Sequence, residues 1–149
     1  MASKIIEFDV VFNYADQEEG IEIPLVLNAN GRSTMTVGFV DSGCGACLFS
    51  NEIGMDLGID IESGELAIFK SGAGGSVPAY GHPVALEFLG IAFESFVYFA
   101  KYQGLQRNLL GRVGFLRKLR FGLIEYDATA VHSKNSISLY FYTLTDIRC

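Results

Sequence analysis

The sequence predicts an all-β fold with one short helix. Aromatic residues are 13% of the 149 residues, and pleated strands favour aromatic side chains. Seventeen glycines accompany only three prolines, a mixture that suits strands joined by tight turns better than a helical bundle. Several segments alternate apolar and polar residues with a period of two, which is typical of half-buried strands.

Composition limits the classes of function that the chain can have. Hydrophobic residues are 50% of the chain and charged residues 19%, so disorder is not expected. A net charge of −6 does not attract a phosphate backbone, so we expect no nucleic-acid partner. No apolar run reaches the roughly 18 residues of a membrane span, and Glu7 and Asp9 interrupt the N-terminal apolar stretch, unlike a signal peptide. We therefore expect one cytoplasmic domain over residues 1–149 that does not contact a membrane.

Three strands are predicted in the first third of the chain. Apolar and polar residues alternate over residues 6–12, which predicts the first strand. The next two strands flank Asn30-Gly31, the type of pair that a two-residue hairpin turn with positive φ prefers. The second strand of this hairpin covers residues 34–40 and ends at Asp41.

The rest of the chain is predicted to add further strands and one helix. Turn glycines and one short helical turn are expected in residues 51–65. In chain order we then predict strands on both sides of a glycine-rich tip at 72–75, a strand at 91–100, an apolar strand end at 109–110, a helical pattern at 113–119, and strands at 121–126 and 136–142.

The segment FVDSGCG, residues 39–45, places an acid directly after an apolar strand. Gly43 allows the backbone to turn sharply, and the Ser42 hydroxyl can donate to a nearby backbone carbonyl and lock that turn. Asp41 would then be held in a fixed pose beside apolar neighbours. Two such carboxylates that face each other cannot both ionise, so the pair shares one proton. One member then acts as a base on a water and the other as an acid toward a scissile carbonyl.

Three segments together resemble the signatures of the retropepsin-like aspartic proteases. FVDSGCG, with the preceding hairpin IPLVLNANGRSTMTVG, is similar to the family's active-site arm, apolar-apolar-Asp-Ser/Thr-Gly-Ala. Further along the chain, KSGAGGSVPAYG resembles the family's glycine-rich flap. RNLLGRVGFL then resembles a second signature, an apolar pair followed by Gly-Arg and a short helix. The resemblance covers about residues 21–127.

The resemblance implies a fold and a set of site residues. The implied fold is the retropepsin-like acid protease barrel with one short helix near the C-terminal half. Asp41 matches the catalytic aspartate, Ser42 the residue whose hydroxyl interlocks two active-site loops across a dimer, and Gly43 the end of the triplet. The apolar pair and the glycine beneath the active-site loop match Leu109, Leu110 and Gly111. The mobile, substrate-covering flap matches Gly72, Ala73, Gly74 and Gly75.

The resemblance also implies a reaction and partners. It implies an aspartic endopeptidase that uses no cofactor and no metal and acts on a peptide or protein substrate. The chain has one Asp-Ser-Gly triplet, so the second carboxylate must come from a second copy. We therefore expect a symmetric homodimer with the site on its two-fold axis.

The sequence departs from the family pattern directly after the triplet. Cys44 stands where the family usually has Ala, and Gly45 stands where viral members often have an Asp that pairs with the arginine of the Gly-Arg signature. Arg112 therefore lacks that partner. We expect Arg112 to pair instead with Glu52, with Asp56 or with a C-terminal carboxylate.

Two other functions stay open from the sequence. A chain with this fold can bind peptides, or only dimerise, without cutting. Cys44 and Cys47 form a Cys-x-x-Cys pattern, which in dithiol oxidoreductases opens a helix that stabilises the thiolate. However, the chain has no Trp, two glycines interrupt the segment after Cys47, and the alternation of strands and helices of that fold is missing. The odd cysteine, Cys149, argues against a disulfide framework, and the spacing of His82 and His132 does not suggest a zinc site.

Overall fold

Strands dominate the part of the chain that the structure describes. A computed structural model describes residues 12, 20–71, 73–119 and 121. Its strands are β1 (Glu22–Ala29), β2 (Arg32–Val40), β3 (Leu48–Phe49), β4 (Glu65–Lys70), β5 (Ser76–Phe88), β6 (Ile91–Ala100) and β7 (Leu109–Leu110). Its helices are α1 (Asn51–Asp56) and two 3-10 helices, Ile61–Ser63 and Leu116–Lys118. The predicted all-β class is confirmed.

The seven strands form one mixed sheet in the order β1-β2-β7-β3-β6-β5-β4. Most neighbours are antiparallel, but β2 pairs with β7 and β3 pairs with β6 in parallel. The long strand β5 pairs along one edge with β4 near its start and with β1 through three residue pairs near its end. Because β1 pairs with β5 as well as with β2, the sheet curls back on itself. Strand β4 pairs with β5 and lies outside the curled part. The predicted barrel is not a closed one.

The β1–β2 hairpin has the turn that its sequence predicts. Residues at the turn are Asn30, with φ of 53°, and Gly31, with φ of 71°. These positive values are those of a two-residue turn whose twist matches that of the strands it joins. The register runs from Ala29 opposite Arg32 to Glu22 opposite Phe39, and β2 ends directly before Asp41.

Alternating apolar side chains of the strands form the main core. On β1 the buried positions are Ile23, Leu25 and Leu27, every second residue, as the pleat requires. These side chains pack with residues of β5, β6 and β7 and with the aromatic ring of Phe115. Leu110 of β7 has no exposed surface. The chain directly after Leu110 is therefore anchored in the centre of the core.

The two helical predictions have different outcomes. The helical turn expected in residues 51–65 is α1. The pattern at 113–119 contains only the 3-10 helix Leu116–Lys118. Gly114 has φ of 96°, outside the helical region, so a longer helix cannot pass through it. The carbonyl of Gly114 instead accepts a hydrogen bond of 2.6 Å from the buried Ser95 hydroxyl.

Several sequence predictions lie wholly or mostly outside the described residues. These are the strands at 6–12, 121–126 and 136–142, and with them the single-domain organisation, so they stay predictions. In the described ranges, no helix combines the length and the apolar character that crossing a membrane would take.

Asn51 joins α1 to the end of β6, and its removal should weaken the fold. Its buried side-chain amide donates to the carbonyls of Ala100 at 3.1 Å and Lys101 at 2.8 Å. Asn51→Ala leaves these two acceptors without their donor, so we expect the free energy of unfolding to fall by about 1–3 kcal/mol. Urea denaturation measures this loss. The neighbouring, exposed Glu52→Ala should stay within about 0.5 kcal/mol of wild type, and an equal loss in both variants would contradict the role of Asn51.

Candidate active site

Asp41 lies at the end of β2 in a turn that its own carboxylate closes. Its backbone N–H donates to the carbonyl of Leu110 at 3.1 Å. Its Oδ1 accepts hydrogen bonds from the backbone N–H groups of Gly43 at 2.9 Å and Cys44 at 3.2 Å. Asp side chains commonly close turns in this way. The half-buried carboxylate is therefore held in one orientation.

Ser42 does not lock this turn, contrary to the expectation from the sequence. Its side chain is exposed, and within the described residues its hydroxyl forms no hydrogen bond. The turn is closed instead by Asp41, whose carboxylate accepts from the N–H groups of Gly43 and Cys44 and whose carbonyl accepts from the Cys44 N–H at 3.2 Å. The structure therefore brings Asp41 and Gly43 into direct contact and leaves the Ser42 hydroxyl facing outward.

The apolar pair Leu109 and Leu110 lies beside the end of β2. Leu109 pairs with Phe39 and with Leu48 of β3, and Leu110 pairs with Val40. An added Cβ on Gly38 would lie 2.7 Å from the Leu110 side chain. The absence of a side chain at Gly38 therefore allows β7 to pack closely against β2.

Gly111 allows two backbone segments to cross. A Cβ on this residue would lie 2.2 Å from the Ala46 carbonyl oxygen. We call the contact between residues 44–47 and 111–113 the loop crossing. Three backbone hydrogen bonds hold it: Arg112 N–H to the Cys44 carbonyl at 2.9 Å, Val113 N–H to that of Gly45 at 2.9 Å, and Cys47 N–H to that of Val113 at 3.0 Å. The segment after Asp41 thus rests directly on the segment after β7.

Asn108 supports the site, although the sequence interpretation gave it no role. Its amide donates to the Thr36 hydroxyl and to the Val37 carbonyl, each at 3.0 Å. Its side-chain oxygen accepts from the Ser50 N–H at 2.9 Å. One side chain thus ties β2 to the start of α1. The signal that could have revealed Asn108 was a lone amide directly before a buried apolar pair.

A groove of about 430 Å³ opens in front of Asp41. One side of the groove is the turn after β2, including Gly43 and Cys44. The other side is the β4–β5 hairpin, and the remaining wall is apolar. The residues that line the hairpin side and the apolar wall include Phe69, Lys70, Ser71, Leu48, Leu105 and Leu109. An apolar side chain can therefore be buried beside a carboxylate.

The predicted flap lies at the tip of the β4–β5 hairpin. Gly72 is outside the described residues. Ala73, Gly74 and Gly75 are exposed and do not line the groove at Asp41. Ser71 does line the groove and holds the tip, since its N–H donates to the Gly75 carbonyl at 2.9 Å and its hydroxyl accepts from the Gly75 N–H at 3.0 Å. The hairpin residues that line the groove therefore lie on both sides of the tip: Phe69, Lys70 and Ser71 before it and Val77 after it.

The two cysteines of the Cys-x-x-Cys pattern are free thiols. Burial raises the pKa of the Cys44 thiol, and the Asp41 carboxylate raises it as well, against a hydrogen bond to the Ala46 carbonyl. Burial raises the pKa of Cys47 to about 12, and its side chain has no exposed surface. Dithiol exchange requires an accessible thiolate with a lowered pKa. The surroundings of both thiols oppose that chemistry.

Arg112 does not form the ion pairs that the sequence suggested within the described residues. Its side chain is exposed, as is Gly45, and in these ranges it pairs with neither Glu52 nor Asp56. The C-terminal carboxylate lies outside the described ranges. The described chain likewise holds no group of three or more His, Cys, Asp or Glu side chains suited to a metal ion.

Comparison with known proteins gives likenesses to solved structures. The structure is similar to that of the EIAV protease complexed with the inhibitor HBY-793, with a TM-score of 0.49 and 16% sequence identity, over 65% of this chain and 86% of that chain. No protein-family model and no curated protein matches the chain. A likeness of this size carries no conclusion about activity, so the chemistry has to follow from the surroundings of Asp41.

The loop crossing should be sensitive to a single methyl group at Gly111. Gly111→Ala places the new Cβ against backbone atoms that cannot rotate away, so we expect the free energy of unfolding to fall by about 1–3 kcal/mol. Gly45→Ala is the matched control, because no atom lies within 4 Å of its added Cβ. Urea denaturation of both variants measures the difference. Equal stability of the two variants would show that residues 44–47 are not packed on Gly111.

The buried Cys47 thiol should make stability fall in alkaline solution. Its pKa rises from 9.0 to about 12 on folding, so between these values the unfolded chain loses a proton that the folded chain keeps. The free energy of unfolding should therefore decrease as pH rises through this range and be unaffected by this thiol below it. Urea denaturation from pH 8 to pH 11 measures the slope. Cys47→Ala should have a shallower slope than wild type, and identical slopes would refute burial of a neutral thiol.

Proposed function

We propose that the chain is an aspartic endopeptidase that acts as a homodimer. One observation carries this proposal: a half-buried carboxylate, fixed by two backbone N–H groups, faces a groove of about 430 Å³. A carboxylate in a fixed pose beside a substrate groove can act as a general base on a bound water. The apolar wall of the groove supports this function, because it can bury a substrate side chain next to the reacting bond.

The two oxygens of Asp41 have different surroundings. Oδ1 accepts both N–H groups of the turn. Within the described residues, no group donates to Oδ2. A water molecule placed between Oδ2 and a peptide carbonyl would lose its proton to this oxygen as it attacks the carbonyl carbon. The fixed turn reduces the reorganisation that the carboxylate would otherwise need.

The second acid must come from another molecule. Asp41 is the one Asp or Glu side chain among the described residues that line the groove. Peptide hydrolysis by aspartates needs two carboxylates that share a proton, one as the base and one as the acid. A two-fold axis beside Asp41 would supply the second. The exposed Ser42 hydroxyl next to Asp41 supports such a contact, since it is free to donate to the other copy.

The proposed substrate is an extended peptide. It would lie in the groove between the turn after β2 and the β4–β5 hairpin, with main-chain hydrogen bonds to the hairpin. The hairpin tip at Ala73, Gly74 and Gly75, together with Gly72, is proposed as the cover that excludes water during the reaction. This mechanism requires no cofactor. The cytoplasmic location stays a prediction from the sequence.

Asp41→Asn should abolish peptide cleavage. The amide cannot accept the proton of the attacking water, so we expect kcat/KM to fall by about 10²–10⁴-fold. A peptide library digested by wild type and analysed by mass spectrometry identifies the peptides for this measurement. The exposed Asp56→Asn is the matched control and should cleave like wild type. Circular dichroism and sedimentation should show that both variants keep the fold and the dimer.

Mixing tests whether the two acids come from two chains. Excess Asp41→Asn added to wild type would form mixed dimers with one carboxylate, so activity should fall well below that of wild type alone. Activity that is insensitive to the variant, together with a monomer in sedimentation, would refute the dimeric mechanism. A dimer that binds a transition-state inhibitor of aspartic proteases but cuts no peptide would instead indicate a peptide-binding module.

A further inference from the structure

A second groove borders the groove at Asp41 and shares lining residues with it. This second groove has a volume of about 330 Å³. Both grooves are lined by Gly43, Cys44, Phe69 and Lys70. Because the two grooves share these residues, a peptide that binds in the first groove can place a neighbouring side chain in the second.

Phe69 forms an apolar wall that both grooves share. Its ring packs edge to face on Tyr98, with ring centroids 5.4 Å apart. Both rings pack on a small buried cluster of Leu48, Ala79 and Ala100. This wall is anchored in the interior rather than suspended in solvent. The groove at Asp41 therefore suits an apolar substrate side chain. The charge at the hairpin comes from Lys70, the residue after Phe69.

Lys70 is the cation of these two grooves in a chain with a net charge of −6. Its side chain is exposed, and within the described residues it forms no ion pair. Lys101, which lines neither groove, already forms an ion pair with Glu62 at 3.0 Å. A flexible, unpaired ammonium group that borders both grooves can meet a negative charge in either groove.

We infer that Lys70 selects peptides that carry an acidic side chain next to the apolar residue bound at Asp41. This inference rests on the proposed function and adds the substrate class to it. An exposed ion pair contributes little, so we expect kcat/KM for an acidic residue at this position to exceed that for glutamine by about two- to fivefold. Charge repulsion should make a lysine there worse than glutamine. Added salt should reduce both differences.

The test uses peptides that differ at one position. From the wild-type cleavage sites, three fluorogenic peptides are made with Glu, Gln or Lys beside the apolar residue, and kcat/KM is measured for each. Lys70→Glu should reverse the order, with the Lys peptide cut fastest, and Lys70→Met should remove the order. Lys118→Glu makes the same change of net charge at an exposed residue outside both grooves. It should keep the wild-type order.

The outcomes separate this inference from the proposed function. Cleavage without an acidic preference, or an equal effect of Lys70→Glu and Lys118→Glu, overturns the role of Lys70 and leaves the protease intact. Absence of any cleavage by wild type overturns the protease. In that case fluorescence anisotropy with labelled Glu and Lys versions of one apolar peptide still tests selection, and equal affinities overturn the inference as well.

Discussion

The loop crossing determines where the acid of this molecule lies. Residues 44–47 rest on the backbone at Gly111, where even a methyl group would meet a carbonyl oxygen. Hydrogen bonds run in both directions across the contact. On one side the chain continues from the fully buried Leu110, and on the other it comes from β2 through Asp41. The position of the carboxylate is therefore set by the core rather than by a surface loop.

The turn at Asp41 gives the carboxylate a fixed position without neutralising it. Its hydrogen bonds come from backbone N–H groups, which orient the acid but bring no compensating positive charge. The half-exposed group therefore keeps access to water and to a partner. A structural aspartate would satisfy the turn equally well, but it would not need a groove with an apolar wall in front of it. The combination of the fixed turn with the groove favours a reactive role for Asp41 over a purely structural one.

Local signals in the sequence predict the hairpins, but they do not reveal the contacts between distant segments. Alternation and the Asn30-Gly31 pair act within a few residues, so β1, β2 and their turn follow from the sequence. The parallel pairings of β3 and β7 join two-residue strands to distant segments, and two residues carry no periodicity. Asn108 acts on partners 58 to 72 residues away. A lone amide before an apolar pair can mark Asn108 as a candidate, but which partners it binds depends on tertiary contacts. The same holds for the interruption of the predicted helix at Gly114, whose carbonyl accepts from Ser95.

The two sides of the groove are attached to the molecule in different ways. The side that holds Asp41 is continuous with the main core through β7 and the loop crossing. The described hydrogen bonds at the hairpin tip instead join Ser71 to Gly74 and Gly75, all within the tip itself. These bonds stabilise the tip locally and do not join it to the side that holds Asp41. Lys70 belongs to this hairpin side, so under the proposed function a substitution there would change peptide selection while the acid stays in place. A change at Gly111 would move the acid and the groove wall together.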